Sequence, residues 1–331
     1  MARRSTRITA ALVVAVAGLA LFSAVAFAAT IIGNDSSEHL NGTTGNDTIF
    51  ARGGNDRVRA LAGDDKVFGG QGRDRIEGNQ GNDTLSGGDG KDRIRGGLGN
   101  DTISGDQGAD RLFGNDGNDV INGFRGNDFI AGGKGDDYVR GDVPGNGIGG
   151  TDRVFGGPGN DTVIGGDGND RLHGGDGNDM VFGNTGNDLM SGGTGDDVQY
   201  GGPGNDRIFA NLGVDTTYGG EGNDDLWALA RGDVTAPGDP VGDTLVGENG
   251  NDHFHVRDGE VDKVDCGAGN DRVQADQYDL VDGHTAAEFA AQGENPHPEG
   301  NCEHVVRKAP QPQEDSSENA TQAPKDDSKT S

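Results

Sequence analysis

An aspartate returns at every ninth residue over most of this chain. Asp47, Asp56, Asp65, Asp74, Asp83, Asp92, Asp101, Asp110, Asp119, Asp128 and Asp137 form one unbroken series. Asp152, Asp161, Asp170, Asp179, Asp188, Asp197, Asp206, Asp215 and Asp224 form a second, and Asp243, Asp252, Asp262 and Asp271 follow at nearly the same interval. Carboxylates in such numbers serve either as acid–base groups or as ligands for hard cations. Catalysis would need a partner constellation, and neither Gly-x-Ser-x-Gly nor His-Glu-x-x-His occurs in the sequence. Of the seven histidines only His253 and His255 stand close together; they flank the apolar Phe254 and are expected to point away from any core. The chain therefore reads as a metal binder and not as an enzyme.

Composition narrows the partner. Among 331 residues there are 64 glycines, only 5% aromatic residues and a formal charge of −29. Without a period, such a chain could not bury enough apolar surface to fold. Its acidity excludes nucleic acid, which needs a basic footprint, and calls for a dense cationic partner. Zinc prefers nitrogen and sulfur ligands, and magnesium demands a strict octahedron. Calcium accepts six to eight oxygens at about 2.3–2.6 Å, which suits carboxylates and turn carbonyls.

The elements that must place these carboxylates are nonamers, such as Gly69 to Glu77, Gly87 to Arg95 and Gly156 to Ile164. In 24 copies the sixth residue is always Asp. The fourth is Gly except at Val241 and Glu260, and the eighth is apolar except at Gln199 and Thr217. A worn copy, Gly33 to Asn41, has Glu38 in the Asp place. Each nonamer divides into a six-residue turn, bent by Gly at its first, second and fourth places, and a three-residue strand whose middle side chain points inward. Ile76, Leu85, Ile94, Ile103 and Leu112 would line a thin core. Two nonamers complete a coil of 18 residues, so Asp47 lies over Asp65 and Asp56 over Asp74, each pair on its own edge. Stacked carboxylates repel by about 1 kcal/mol even in water and by more when dry, so a column of them needs a dication between its members.

The pattern Gly-Gly-x-Gly-x-Asp-x-apolar-x resembles the RTX, or haemolysin-type, calcium-binding repeat over roughly residues 33–274. The resemblance implies an all-β parallel β-roll, with calcium held between coils by the sixth-place aspartates and turn carbonyls. Counting Asp pairs 18 residues apart gives nine sites in the first block and seven in the second, or roughly 15 ions. Spacings of 19 residues at Asp224–Asp243, Asp243–Asp262 and Asp252–Asp271 would each need a bulge.

The remaining segments assign domains. Arg3, Arg4 and Arg7 precede an apolar run and Ala26-Phe27-Ala28, the form of a cleaved signal peptide over residues 1–28. Export is expected, with no membrane span after cleavage. The roll covers 29–274, with loops at 141–146 and 228–237. Residues 275–307 form a C-terminal cap, with strands at Asp276 to Val281 and Asn301 to Val306 and a short helix from Thr285 to Gln292. Cys266 and Cys302, an even pair in an exported chain, are expected to form a disulfide there. Residues 308–331 read as a disordered tail.

Two departures bear on function. Gln199 and Thr217 stack on one another, either bonding each other or marking a register slip that turns Val198 and Tyr200 inward. Arg57, Arg75, Arg93 and Arg111 form a ladder on one outer face, opposite Thr48, Lys66, Thr84 and Thr102. It reads as a solvated stripe that softens the acidic field, with a cell-surface or matrix glycan as the alternative ligand. The function expected is a secreted calcium-binding scaffold or adhesin-like module whose folding is driven by Ca2+. The alternatives are a pure extracellular calcium buffer and an accessory module of a secreted toxin or enzyme system.

Overall fold

A computed structural model describes residues 28–145, 149–228, 242–283, 285, 302 and 304–308. The proposed signal peptide, the short helix after Thr285 and the tail lie outside the described residues, apart from Ala28, Thr285 and Lys308 at their margins. Two parallel sheets of 14 strands each face one another, and successive strands of the chain alternate between them. Among the described residues there is no helix.

The register follows the nonamer. Ile49 pairs with Val67, and Val67 with Leu85, in one sheet; Ile76 pairs with Ile94, and Ile94 with Leu112, in the other. Their side chains meet between the sheets in one continuous aliphatic cluster from Leu40 to Ile208. A second cluster runs from Leu226 to Cys302. The break between them falls at the polar pair. Gln199 and Thr217 are both buried, and the Thr217 hydroxyl donates to Gln199 Oε1 at 3.2 Å. Outside them Tyr200 and Tyr218 stack at 4.8 Å. The register does not slip.

The strands are longer than the three residues expected. Thr48–Gly53 and Lys66–Gly72 continue into the first places of the following nonamer, and the register holds there too, with Arg52 opposite Gly70. Identical turns stacked in register pair their backbone groups just as strands do, so half of each turn becomes ladder.

Glycine has two distinct roles in the turn. At the second and fourth places φ is positive, as at Gly97 (133°) and Gly99 (114°). At the first place φ is ordinary and the requirement is for space. A Cβ on Gly105 would fall 2.6 Å from Asp110 Oδ2 and 2.8 Å from the Gly123 carbonyl oxygen. The expectation that all three glycines serve backbone angles is corrected at that place.

The first insertion starts later than expected. Gly141 and Asp142 remain in the roll, their amides donating to the carbonyls of Ile164 (2.9 Å) and Gly165 (2.8 Å). The chain leaves after Asp142. At the second insertion Ala228 is likewise still bonded, to the His255 carbonyl at 3.1 Å.

The cap strands form as parallel additions to the two sheets. Leu280–Val281 pairs with Lys263 and Val264, and His304–Arg307 pairs with Arg272 to Ala275. Cys266 and Cys302 are disulfide-bonded, with Cα atoms 5.3 Å apart. Arg307 closes this end by donating to the backbone carbonyls of Asp276 (2.6 Å) and Asp279 (3.1 Å).

Candidate metal centres along the two edges

All 24 sixth-place aspartates come together in two columns, one on each edge of the roll. None exceeds 3% exposure. One column runs Asp47, Asp65, Asp83, Asp101, Asp119, Asp137, Asp161, Asp179, Asp197, Asp215, Asp243, Asp262. The other runs Asp56, Asp74, Asp92, Asp110, Asp128, Asp152, Asp170, Asp188, Asp206, Asp224, Asp252, Asp271.

One bond repeats along both. Each Asp amide donates to Oδ1 of the Asp one coil later, as from Asp47 to Asp65 (2.6 Å), Asp92 to Asp110 (2.7 Å) and Asp188 to Asp206 (2.7 Å). The chain continues across both insertions, from Asp128 to Asp152 (2.8 Å) and from Asp224 to Asp252 (2.8 Å). It also continues across the 19-residue steps, from Asp243 to Asp262 and from Asp252 to Asp271, both 2.8 Å. One expectation fails here. Asp224 does not stack on Asp243, because the second insertion lengthens the step and Asp243 meets Asp215 instead, at 2.9 Å.

The other oxygen, Oδ2, turns inward beside the first-place glycine. In Asp65, Asp83, Asp110, Asp152, Asp179 and Asp206 it is buried with no hydrogen-bond partner among the described residues. A buried carboxylate oxygen with no donor is costly. The same glycine places a neighbouring carbonyl beside it: a Cβ on Gly219 would lie 2.6 Å from Asp224 Oδ2 and 2.9 Å from the Gly247 oxygen. Each coil thus presents carboxylate and carbonyl oxygens around a small space, and among the described residues nothing donates to the Oδ2 atoms named above. That donor set is all hard oxygen, and it fits calcium.

The electrostatics agree. Burial pushes Asp110 up to about 8; the Asp92 amide opposes this, and the carboxylates of Asp128, Asp92 and Asp106 add to it. Burial likewise takes Asp152 to about 9, and Asp137, Asp179 and Asp206 to about 8. Columns in this state resist ionisation unless positive charge enters between the coils.

Sequence reasoning missed several carboxylates. Asp142, at the mouth of the first insertion, accepts from the Gly150 amide and adds its charge to that of Asp128, Asp152 and Asp170. Near the far end Asp258 and Glu260 replace the second- and fourth-place glycines, and with Asp262 they bring buried carboxylate oxygens within 4.8 Å of one another. Asp276 and Asp279, both 0% exposed, lie beside this group. The signal was present at 257–262, where the repeat keeps its Asp but exchanges glycine for acid.

The arginine ladder is largely engaged within the chain. Glu77 accepts from Arg59 Nε (3.0 Å) and Arg75 Nε (2.9 Å). Arg93 and Arg95 lie over the Phe113 ring at 5.3 and 5.6 Å, and Arg111 over Phe129 at 5.1 Å.

A two-sheet parallel roll with carboxylate columns on both edges defines a repeat protein built to bind divalent metal. The family model for the RTX calcium-binding nonapeptide repeat (four copies) matches residues 32–67, 68–103, 104–139, 146–181, 174–202, 182–217, 191–226 and 238–273. The chain belongs to that family, whose repeats bind calcium. Among curated proteins none matches it.

Proposed function

We propose that this chain is an exported, non-catalytic scaffold or adhesin-like module that folds when calcium enters its two columns. The observation that carries this reading is the row of buried Oδ2 atoms, as in Asp65, Asp83 and Asp179 on one edge and Asp110, Asp152 and Asp206 on the other, with no donor among the described residues. Bound between coils, calcium supplies the positive charge the columns lack. The residues of the chain do the rest. Aspartate Oδ1 atoms tie each coil to the one before it, first-place glycines leave room for an ion, and the aliphatic row fixes the register.

Two columns of 12 aspartates leave 11 gaps each, so about 22 ions are expected, more than the roughly 15 inferred from 18-residue spacings alone. The apo chain would be expanded while it crosses the membrane in low calcium and would set outside, where calcium is plentiful. The N-terminal segment 1–28 supports export, and the columns themselves support calcium as the folding partner.

Titration of the metal-free chain with calcium, followed by circular dichroism and by metal analysis of the folded product, tests this. The expected result is a cooperative gain of β-sheet with about 22 ions retained. Equal β content in EGTA and in millimolar calcium would end the proposal. Retention on cells or matrix with and without calcium separates a scaffold from a pure calcium buffer.

A further inference from the structure

Where the aliphatic core passes from its first cluster to its second, the outer face of one sheet carries a group unlike anything in the columns. His253 and His255 project outward on either side of Phe254, which is fully buried in the core. On the adjacent strand Asp225 lies opposite His253, and Trp227 opposite His255. One ligating atom from each of Asp225, His253 and His255 lies within 4.8 Å of the others. His253 Nδ1 is 3.5 Å from Asp225 Oδ1.

The surroundings hold these rings in place. His255 lies flat against Trp227, with centroids 4.5 Å apart and planes 2° from parallel, and Trp227 stacks in turn on Phe209 at 4.7 Å. The His253 ring stands edge-on to His255 at 5.3 Å. Two cations border the group: Arg207, whose Nε is 3.7 Å from Asp225 Oδ2, and Arg272, opposite His253 on the next strand.

The donor set decides the class of ion. The columns offer oxygen alone. Here two imidazole nitrogens and one carboxylate oxygen converge, the combination that zinc takes at about 2.0–2.2 Å and calcium does not favour. Ligands around a tetrahedral zinc stand about 3.3 Å apart, and rotation of the half-buried Asp225 and His253 side chains closes the difference. We propose that Asp225, His253 and His255 form a zinc site on the outer face of the roll, separate from the calcium columns and assembled only when two successive coils stack.

Trp227 is the chain's only tryptophan and touches His255, so the protein carries its own reporter. Full-length chain, saturated with calcium and shown to be folded by circular dichroism, is titrated with Zn2+ while Trp227 emission is read. One equivalent of Zn2+ should change the emission, and tenfold more calcium should not reverse it. His253→Gln, His255→Gln and Asp225→Asn should each weaken the response at least about tenfold. If His255→Gln disturbs the stack on Trp227, the other two substitutions, at half-buried positions, decide. Zinc that binds all variants equally, that calcium displaces, or that leaves Trp227 silent overturns the proposal. A roll that fails to fold in calcium would instead overturn the calcium reading, so the two failures are distinct.

Discussion

From Gly42 to Tyr218 the molecule repeats one unit with a single interruption; from Gly219 to Lys308 almost every coil differs from the last. In the first region the core is a row of single aliphatic side chains, and the coils are tied by the same amide-to-Oδ1 bond at each step. In the second the step between stacked aspartates is 28, then 19, then 17 residues. Acids stand where glycines stood, a phenylalanine fills the core, and a disulfide and Arg307 close the end. A regular stack can be stabilised by one device used many times, whereas an end, with no further coil to pair with, needs a different device at each place. Metal should therefore matter most to the first region, and covalent and local contacts to the second.

Chelation gives the largest expected effect. In EGTA at neutral pH, hydrogen exchange should show protection lost across 42–218, and β-sheet circular dichroism should fall with it. Acid should partly replace the metal. Burial raises the folded-state values of Asp65, Asp110 and Asp152 from 3.8 to about 6, 8 and 9, so the metal-free roll holds protons more tightly than the unfolded chain. That contribution is complete below about pH 3.8 and is lost as pH rises through about 6 to 9. A pH series in EGTA should show β content highest near pH 4. A metal-free chain equally unfolded at pH 4 and pH 8 would remove the electrostatic account of the columns.

The disulfide should come next. Cys266 and Cys302 close a loop across 36 residues, for which chain entropy gives about 3–4 kcal/mol. The double substitution to serine should unfold the far end at lower denaturant and leave exchange protection in 42–218 nearly unchanged. Equal loss in both regions would mean that the end nucleates the whole roll.

These contrasts also mark how far the sequence could be read. The sixth-place Asp and eighth-place apolar residue placed both edges, the core and the two-coil step, because each position repeats a single physical demand. The return point of a loop is not written in a nine-residue count, so the pairing of Asp215 with Asp243 was invisible until the strand Thr244–Asn249 was seen beside Thr216–Glu221. Pattern matching also scored Glu260 as a failure of glycine, and only its convergence with Asp258 on Asp262 shows what replaces it. The first-place glycine was misread for a related reason: its constraint comes from the neighbouring coil's carbonyl and not from its own φ.

Within a single turn the two φ-positive places should differ. Gly97 lies between Asn79 (φ 83°) and Asn115 (φ 82°) in the stack, so Gly97→Asn extends an existing row. A Cβ would meet a neighbouring carbonyl at either place, that of Asn79 at Gly97 and that of Gly81 at Gly99; but Gly99, at φ 114°, lies in a column of fourth-place glycines, whereas both neighbours of Gly97 already hold a side chain at φ near 80°. Gly99→Asn should cost about 1–3 kcal/mol and raise the calcium midpoint, and Gly97→Asn should cost clearly less. Equal costs would show that the turn yields at either place.

The smallest effect tests the boundary itself. The core changes clusters at Gln199 and Thr217, where the Thr217 hydroxyl donates to Gln199 Oε1 and Gln199 Nε2 is buried with no acceptor among the described residues. Thr217→Val keeps the shape but leaves the amide oxygen without its donor, at about 1–3 kcal/mol. Gln199→Leu together with Thr217→Val removes both polar groups and joins Val181 to Leu245 through an unbroken apolar row, so the double substitution should recover most of that loss or exceed it. A double-mutant cycle in calcium reads the coupling directly. If the double substitution is no better than Thr217→Val alone, the pair is not an isolated polar defect in an apolar row, and the two regions are joined there by something other than the core.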